Sequence, residues 1–357
     1  MIPVFHYLDP AKTAYILRSG RIIMKISERD EIELAGKNII FGAGEILIQE
    51  REGYEQLRSK DVYVSDPGEY EPIPKEKLLK LFKQPKLGYA VAKTIAIALM
   101  KVNSIFEIRS KQLGQGAKLA QEYCKIYYLS VDILKKEYKS KRYHWLEKLH
   151  DSAVQSLTYQ KGKAFYEVSK NKTIKVESQM NELDKVFPHG TVLCEQGEES
   201  NDMFILREGT IHVLVGDNVV AEIQDQGTLI GEMALLLGQK RTATLKSHGG
   251  VKVSIVNKNN VPNVIKNDPN FFLNIATTHS MWETNNCVLI KELEDQLKIQ
   301  KEEQNLPKFL KSENKYKEEV FKLKREVMEL NRKFNMEFLD NIEDIISDGI
   351  ESVMEID

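Results

Sequence analysis

The chain has 357 residues, with 51 Lys and Arg against 53 Asp and Glu, a formal net charge of -2, 42% hydrophobic and 29% charged residues. That length is enough for two or three domains with cores of their own. Near-balanced charge excludes a whole-molecule field that would draw the chain to nucleic acid or to an anionic membrane. Cys124, Cys194 and Cys287 lie far apart, so neither a disulfide framework nor a CxxC metal knuckle is expected, and a reducing compartment is the natural reading. The first ten residues lack the basic start and apolar core of a signal peptide. Ala90 to Leu99 is apolar but contains Lys93 and is too short to span a bilayer. A cytoplasmic, soluble protein is expected.

In chain order, Tyr15-Ile-Leu-Arg-Ser-Gly20 and Arg21 to Ile26 read as strands joined at a turn. Gly36, Gly42, Gly44, Gly53 and Asp66-Pro67-Gly68 punctuate the rest of this zone. From Pro74 the period changes to helical, with Leu78, Leu79, Leu81 and Phe82 on one side and a break at Gly114-Gln-Gly116. Lys135 to Arg142 is basic, but on a helix with Glu137 it reads as a solvated face.

Short β-branched runs then return: Thr191 to Cys194, Phe204 to Leu206, Ile211 to Val215, Val219 to Ile223 and Val251 to Val256. Gly190, Gly197, Gly209, Gly216 and Gly227 separate them, the pattern of a small antiparallel barrel or roll. After Asp268 the chain is helical again. Val320, Leu323, Val327, Leu330 and Phe334 fall on a/d positions. Leu339 to Asp357, with seven acids and no base, is either an amphipathic helix or a partly frayed acidic tail.

Phe204-Ile-Leu-Arg-Glu-Gly209 repeats Tyr15-Ile-Leu-Arg-Ser-Gly20. With the same offset of 189, Ile40 to Leu47, which includes Gly42, falls near Leu229 to Leu236, and the best local match then sets Gly44-Glu45-Ile46 against Gly231-Glu232-Met233 after a small shift and a gap. In the first copy the stretch ends Gln49-Glu-Arg51-Glu-Gly53 with no small hydroxyl residue, so this copy is expected to be degenerate, with Glu45 and Arg51 as its remaining charged pair.

The segment that carries chemistry is Gly231-Glu-Met-Ala-Leu-Leu-Leu-Gly-Gln-Lys-Arg241-Thr-Ala-Thr244. A Gly-Glu pair opens a short helical turn, whose N-terminus favours an anion. Arg241 brings a forked pair of donors suited to a phosphate. A neighbouring carboxylate suits a sugar hydroxyl.

This segment resembles the phosphate-binding cassette of cyclic nucleotide-binding domains. Phe187-Pro-His-Gly190-Thr-Val-Leu-Cys-Glu-Gln-Gly197 and Phe204-Ile-Leu-Arg-Glu-Gly209 resemble the family's entry and strand-pair patterns. The resemblance covers about 110 residues, Val176 to about Asn286. It implies an α+β chain: two antiparallel β-roll domains of jelly-roll, cyclic nucleotide-binding-like form, the first degenerate, joined and followed by α-helices. The expected divisions are a degenerate roll at 1–82, a helical connector at 83–172, a cyclic nucleotide-binding domain at 173–286 and a helical, coiled-coil tail at 287–357.

The resemblance further implies that Glu232 accepts from the ribose 2′-OH and Arg241 pairs with the cyclic phosphate. The backbone N–H groups of Met233 and Ala234 stand at the helix start, where Gly231 permits close approach. Val213 and Ile230 stand near the base, and Thr242 and Ala243 complete the cassette. Thr242 is either a selectivity residue for guanine or an ordinary strand threonine, so cAMP and cGMP both remain open. In the following helix Trp282 either stacks on the purine as a lid or packs on the barrel. Thr284, Asn285 and Asn286 are placed to bond the base edge.

No Walker A, HExxH, GxSxG or kinase HRD and DFG set is present, and the histidines show no ligand spacing. The expected function is a non-catalytic cAMP or cGMP receptor, with no catalytic residues and no metal. It would regulate a protein partner, or a second copy, through its helical segments, without nucleic acid or a membrane span. A ligand-free scaffold is the alternative. A transcription regulator of the catabolite-activator type would need a helix-turn-helix that 305–357 lacks.

Overall fold

The computed structural model describes residues 1–53, 55–65, 69–113, 115–169, 174–176, 178, 181–303 and 315–354. The expected turn at Asp66-Pro67-Gly68, Gly114 of the expected break, the 172/173 boundary, the first ten residues of the 305–357 segment and the last three of the chain lie outside them.

The described chain divides into two compact units. The first gathers residues 1–25, 30–102 and the described part of 172–284. It holds two antiparallel sheets. The first sheet is built from β1 (Ile2–Phe5), β2 (Thr13–Lys25), β3 (Glu31–Gly36), β4 (Ile39–Phe41), β5 (Asp61–Val64) and β6 (Glu69–Pro74). Its order is β1-β5-β2-β3, with β4 and β6 also on β2. Helix α1 (Gly44–Glu52) follows β4; α2 (Lys75–Phe82) and the beginning of α3 (Pro85–Leu113) follow β6.

The remaining helices before the second sheet are α4 (Gln115–Lys141), α5 (His144–Gln155) and α6 (Leu157–Ser169). The second sheet comprises β7 (Asp184–Phe187), β8 (Val192–Cys194), β9 (Met203–Val215), β10 (Asn218–Ile223), β11 (Leu229–Ile230) and β12 (Thr244–Val256). Its order is β10-β9-β12-β7, with β11 on β9 and β8 on β12. Helix α7 (Glu232–Leu237) follows β11, and α8 (Val261–Asn267) and α9 (Phe271–Glu303) follow β12.

β2, β9 and β12 are the long central strands, 13 residues each. Along β9 the side chains of Phe204, Leu206 and Ile211 turn inward. Gly209, at φ +90°, lies against β12: a Cβ there would sit 2.2 Å from the Gly250 carbonyl oxygen. Only glycine permits both that backbone angle and that approach. Both rolls share one apolar core, in which Ala14, Ile46, Leu47 and Leu78 join Met203, Ile205, Leu235 and Phe271. Burial at this scale, at about 25 cal/mol per Å² of apolar surface, is the main force holding the rolls as one unit.

The strand pairing keeps the 189-residue offset and removes the small shift in the local cassette match. Tyr15 pairs with Phe41, and Phe204 with Ile230. One offset, 189 residues, therefore relates both members of the pair, with no shift. It sets Gly42 against Gly231 and Ala43 against Glu232. The local match of Gly44-Glu45 to Gly231-Glu232 is a coincidence of residue type.

The second unit is helical, made of residues 26–29, the described part of 103–171 and the described part of 285–357. It adds α10 (Lys315–Phe334) and α11 (Glu337–Met354). Leu339, Ile342, Ile346, Ile350 and Val353 recur every three or four residues and are buried, so 337–354 is an amphipathic helix. Val320, Leu323 and Val327 of the a/d stripe are buried in the same cluster as Cys124, Val131 and Leu134 of α4. Phe334 stacks on Trp145 at 4.1 Å. Among the described residues no helix is long and apolar enough to cross a membrane.

Candidate functional site

β11 ends at Ile230, and the chain turns at Gly231 (φ +80°) to start α7 at Glu232. That left-handed angle suits glycine, and space demands it as well. A Cβ at Gly231 would lie 2.1 Å from Arg241 Nη1, so any side chain would displace the guanidinium. Arg241 stands three residues before β12, held by backbone bonds to both sides of the 195–199 turn: its N–H donates to Glu198 and its carbonyl accepts from Gly197.

The Arg241 side chain is buried. Nη2 donates to the Asp202 carbonyl at 2.6 Å and to Ser200 Oγ at 3.1 Å. Its guanidinium carbon lies 5.3 Å from the centroid of the Phe204 ring. Nε and Nη1 are buried and find no hydrogen-bond partner among the described residues. A buried guanidinium with two idle donors is unfavourable unless an anion meets it. Nη2, which either bidentate edge of a guanidinium requires, is already engaged, so Nε and Nη1 offer an anion separate single donors rather than a fork.

Glu232 is buried at the first position of α7, and its Oε1 accepts from His279 Nε2 of α9 at 3.2 Å. His279 is fully buried, and its Nδ1 has no partner among the described residues. Sequence reasoning missed His279, because a lone histidine on an apolar helix carries no spacing signal.

The other expected site residues are spread over both units. Ala234 is buried and Met233 half-buried. Ile230 and Val213 belong to the apolar interior of the roll with Phe204 and Leu245, and Val213 pairs with Leu245. Thr242 is exposed and Ala243 half-buried. Trp282 lies beside His279, ring centroids 5.7 Å apart, with Nε1 buried and unpartnered among the described residues. Thr284 Oγ1 is likewise buried and unpartnered. Asn285 and Asn286 belong to the helical unit, where Asn286 Nδ2 donates to Asn103 Oδ1 at 2.7 Å.

The first roll has the same arginine, in a different place from the one its sequence suggested. Arg51 is exposed near the end of α1. Arg58 stands three residues before β5, as Arg241 does before β12. Its Nη2 donates to the Thr13 carbonyl, and Thr13 is the counterpart of Asp202 at the offset of 189. Its Nη1 donates to the Gly42 carbonyl at 2.7 Å and lies 3.2 Å from Glu45 Oε2.

Glu45 also accepts from Ser59 N and Oγ and lies 3.7 Å from Lys60 Nζ. Burial alone would raise the Glu45 pKa, but Lys60, Arg58 and the Ser59 bonds together hold it at about 2. The cavity beside this cluster measures about 20 Å³ and is lined by Gly44, Glu45, Lys60 and Glu283 among others. A ligand pocket for a nucleotide-sized molecule needs roughly 300 Å³ or more. Among the described residues no group of three or more His, Cys, Asp and Glu side chains could hold a metal ion.

Residues 184–268 match the family model of the cyclic nucleotide-binding domain. The chain is 24% identical over 186 residues to cyclic nucleotide-gated channel alpha-2 of Bos taurus, covering 47% of this chain and 28% of the channel. It is 30% identical over 80 residues to cGMP-dependent protein kinase 2 of Homo sapiens, covering 22% and 10%. The chain thus spans well under a third of the length of these curated relatives. Among solved structures, the regulatory domain of Toxoplasma gondii PKA with cAMP aligns at 16% identity over 75% of this chain and 79% of that one, with a TM-score of 0.22.

Proposed function

We propose that this chain, whose residues 184–268 form a cyclic nucleotide-binding domain in tandem with a degenerate first copy, is a non-catalytic receptor for cAMP or cGMP. The observation that carries the reading is Arg241: a buried guanidinium with Nε and Nη1 unpartnered, pressed against a glycine at a helix start. In this reading those donors take the cyclic phosphate, together with the N–H groups of Met233 and Ala234. Glu232 accepts from the ribose 2′-OH. Val213 and Ile230 face the base, and Trp282 and Thr284 lie on the helix that covers it. Ligand shifts α9, and the helical unit passes the shift to a protein partner or a second copy. The coupling equals the difference in ligand affinity between the two arrangements.

A ligand-free scaffold is the second reading. What favours it is His279, which already satisfies one oxygen of Glu232. Calorimetric titration of the full chain with cAMP and with cGMP separates the two. Saturable heat at one site supports the receptor. No heat from either nucleotide, with the protein folded and checked free of co-purified ligand, supports the scaffold.

A further inference from the structure

Within the first unit, α9 touches both rolls through a single helical turn. His279 reaches Glu232 at the start of α7. Ser280 lies against Gly44 at the start of α1: a Cβ added there would sit 3.2 Å from Ser280 Oγ. Glu283, four residues after His279 and on the same face, pairs with Lys60 Nζ at 2.8 Å, both side chains 6% exposed. Lys60 is the residue that also approaches Glu45, beside Arg58. One turn of α9 therefore holds a residue of each cassette region, Lys60 through Glu283 and Glu232 through His279.

A buried ion pair contributes less to net stability than to register, because any rotation of the helix strands one charge. The Glu232 carboxylate has two oxygens. With Oε1 held by His279, its plane and the direction of Oε2 are set, and a hydrogen bond to a ligand hydroxyl depends steeply on that direction.

We infer that Lys60, in the degenerate roll, is a positioning residue for Glu232 in the intact one, acting through Glu283 and His279 to aim the carboxylate at a sugar hydroxyl. The inference rests on the receptor reading above. It gives the first roll a task in ligand recognition although its own pocket is filled.

The test uses the full chain with cAMP, cGMP and the 2′-deoxy form of each, titrated by calorimetry. Wild type should prefer the ribose form by about 10- to 100-fold, the range for a hydrogen bond to a charged group. Glu283→Gln should lower that ratio by about threefold or more while leaving 2′-deoxy affinity unchanged, since the lost aim matters only to a ligand with the hydroxyl. Lys60→Met should do the same, and Lys60→Arg should restore the ratio. If Lys60→Met does not fold, Glu283→Gln, which removes the charge that Lys60 holds against α9, carries the test.

A ratio unchanged in folded Glu283→Gln overturns the inference, and so does equal weakening of both sugar forms, which marks general loosening. Wild type that binds no nucleotide removes the receptor reading and the inference with it. Wild type that binds both sugar forms equally removes only the inference.

Discussion

The two rolls carry the same arginine in the same frame and resolve its charge in opposite ways. Arg58 and Arg241 each stand three residues before a strand, with Nη2 on the carbonyl of Thr13, the first residue of β2, or of Asp202, just before β9. Arg58 has an anion of its own, since Glu45 lies 3.2 Å from Nη1. Arg241 keeps Nη1 and Nε idle among the described residues. The acid that begins the second cassette, Glu232, has only Ala43 as its counterpart in the first. A degenerate binding domain is thus not an eroded one. The first roll meets its arginine with an internal anion; in the receptor reading, the second leaves its arginine for an external one.

The contrast breaks most sharply under truncation of each arginine. Arg58→Met should destabilise the chain by about 3–5 kcal/mol, because it removes one of the two cations that meet buried Glu45 and breaks a buried ion pair. Urea unfolding would read the change; a loss below about 1 kcal/mol would mean that the cluster is held by something other than Arg58. Arg241→Met should instead weaken cyclic nucleotide binding by about 2–5 kcal/mol while leaving the unfolding midpoint unchanged or higher, since two unsatisfied buried donors leave with it. Nucleotide affinity that survives this change would place the phosphate elsewhere.

Acid sharpens the difference further. The Glu45 pKa is lowered in the folded chain, so its stabilisation is complete above the ordinary carboxylate range and is lost as pH falls through that range toward about 2. The sum over that window is about 3 kcal/mol. Melting curves of wild type and Glu45→Gln between pH 6 and pH 2.5 should therefore converge on acidification; curves that stay parallel would detach Glu45 from acid stability. The smallest effect is expected at Thr242. This side chain is exposed, so Thr242→Ala should leave melting unchanged and lower cGMP affinity more than cAMP affinity by about 1 kcal/mol. Equal losses would remove it as a selectivity residue.

The sequence made the second roll legible because its chemistry is local. Gly231, Glu232 and Arg241 lie within eleven consecutive residues, and the glycines between strands keep their spacing. The first roll was legible as a repeat and in its 189-residue offset, but not in its cassette or its arginine. The link between its helix and its next strand is longer, so the matching arginine is Arg58 rather than Arg51, and only its place three residues before a strand identifies it. His279 and the Lys60–Glu283 pair join residues far apart in the chain, and such pairs leave no spacing to read. The C-terminal segment differs from its sequence pattern in another way. Its heptads suggest a coiled-coil tail, yet 315–354 supplies Val320, Leu323, Ile342 and Ile346 to the core of the helical unit. A helix that looks self-sufficient in its heptads does not say which surface covers them.

Glu45 also bears on the arithmetic of signalling. It sits 13 residues from Arg58 in the chain, so it competes for the guanidinium as a tethered ligand, at an effective concentration in the millimolar range or above. In the receptor reading, a cyclic nucleotide would have to displace this tethered carboxylate before it could reach Arg58. Each chain should therefore titrate with a stoichiometry of one and a Hill coefficient of one, giving a graded response to nucleotide concentration. Any steeper response would have to come from a second copy of the chain.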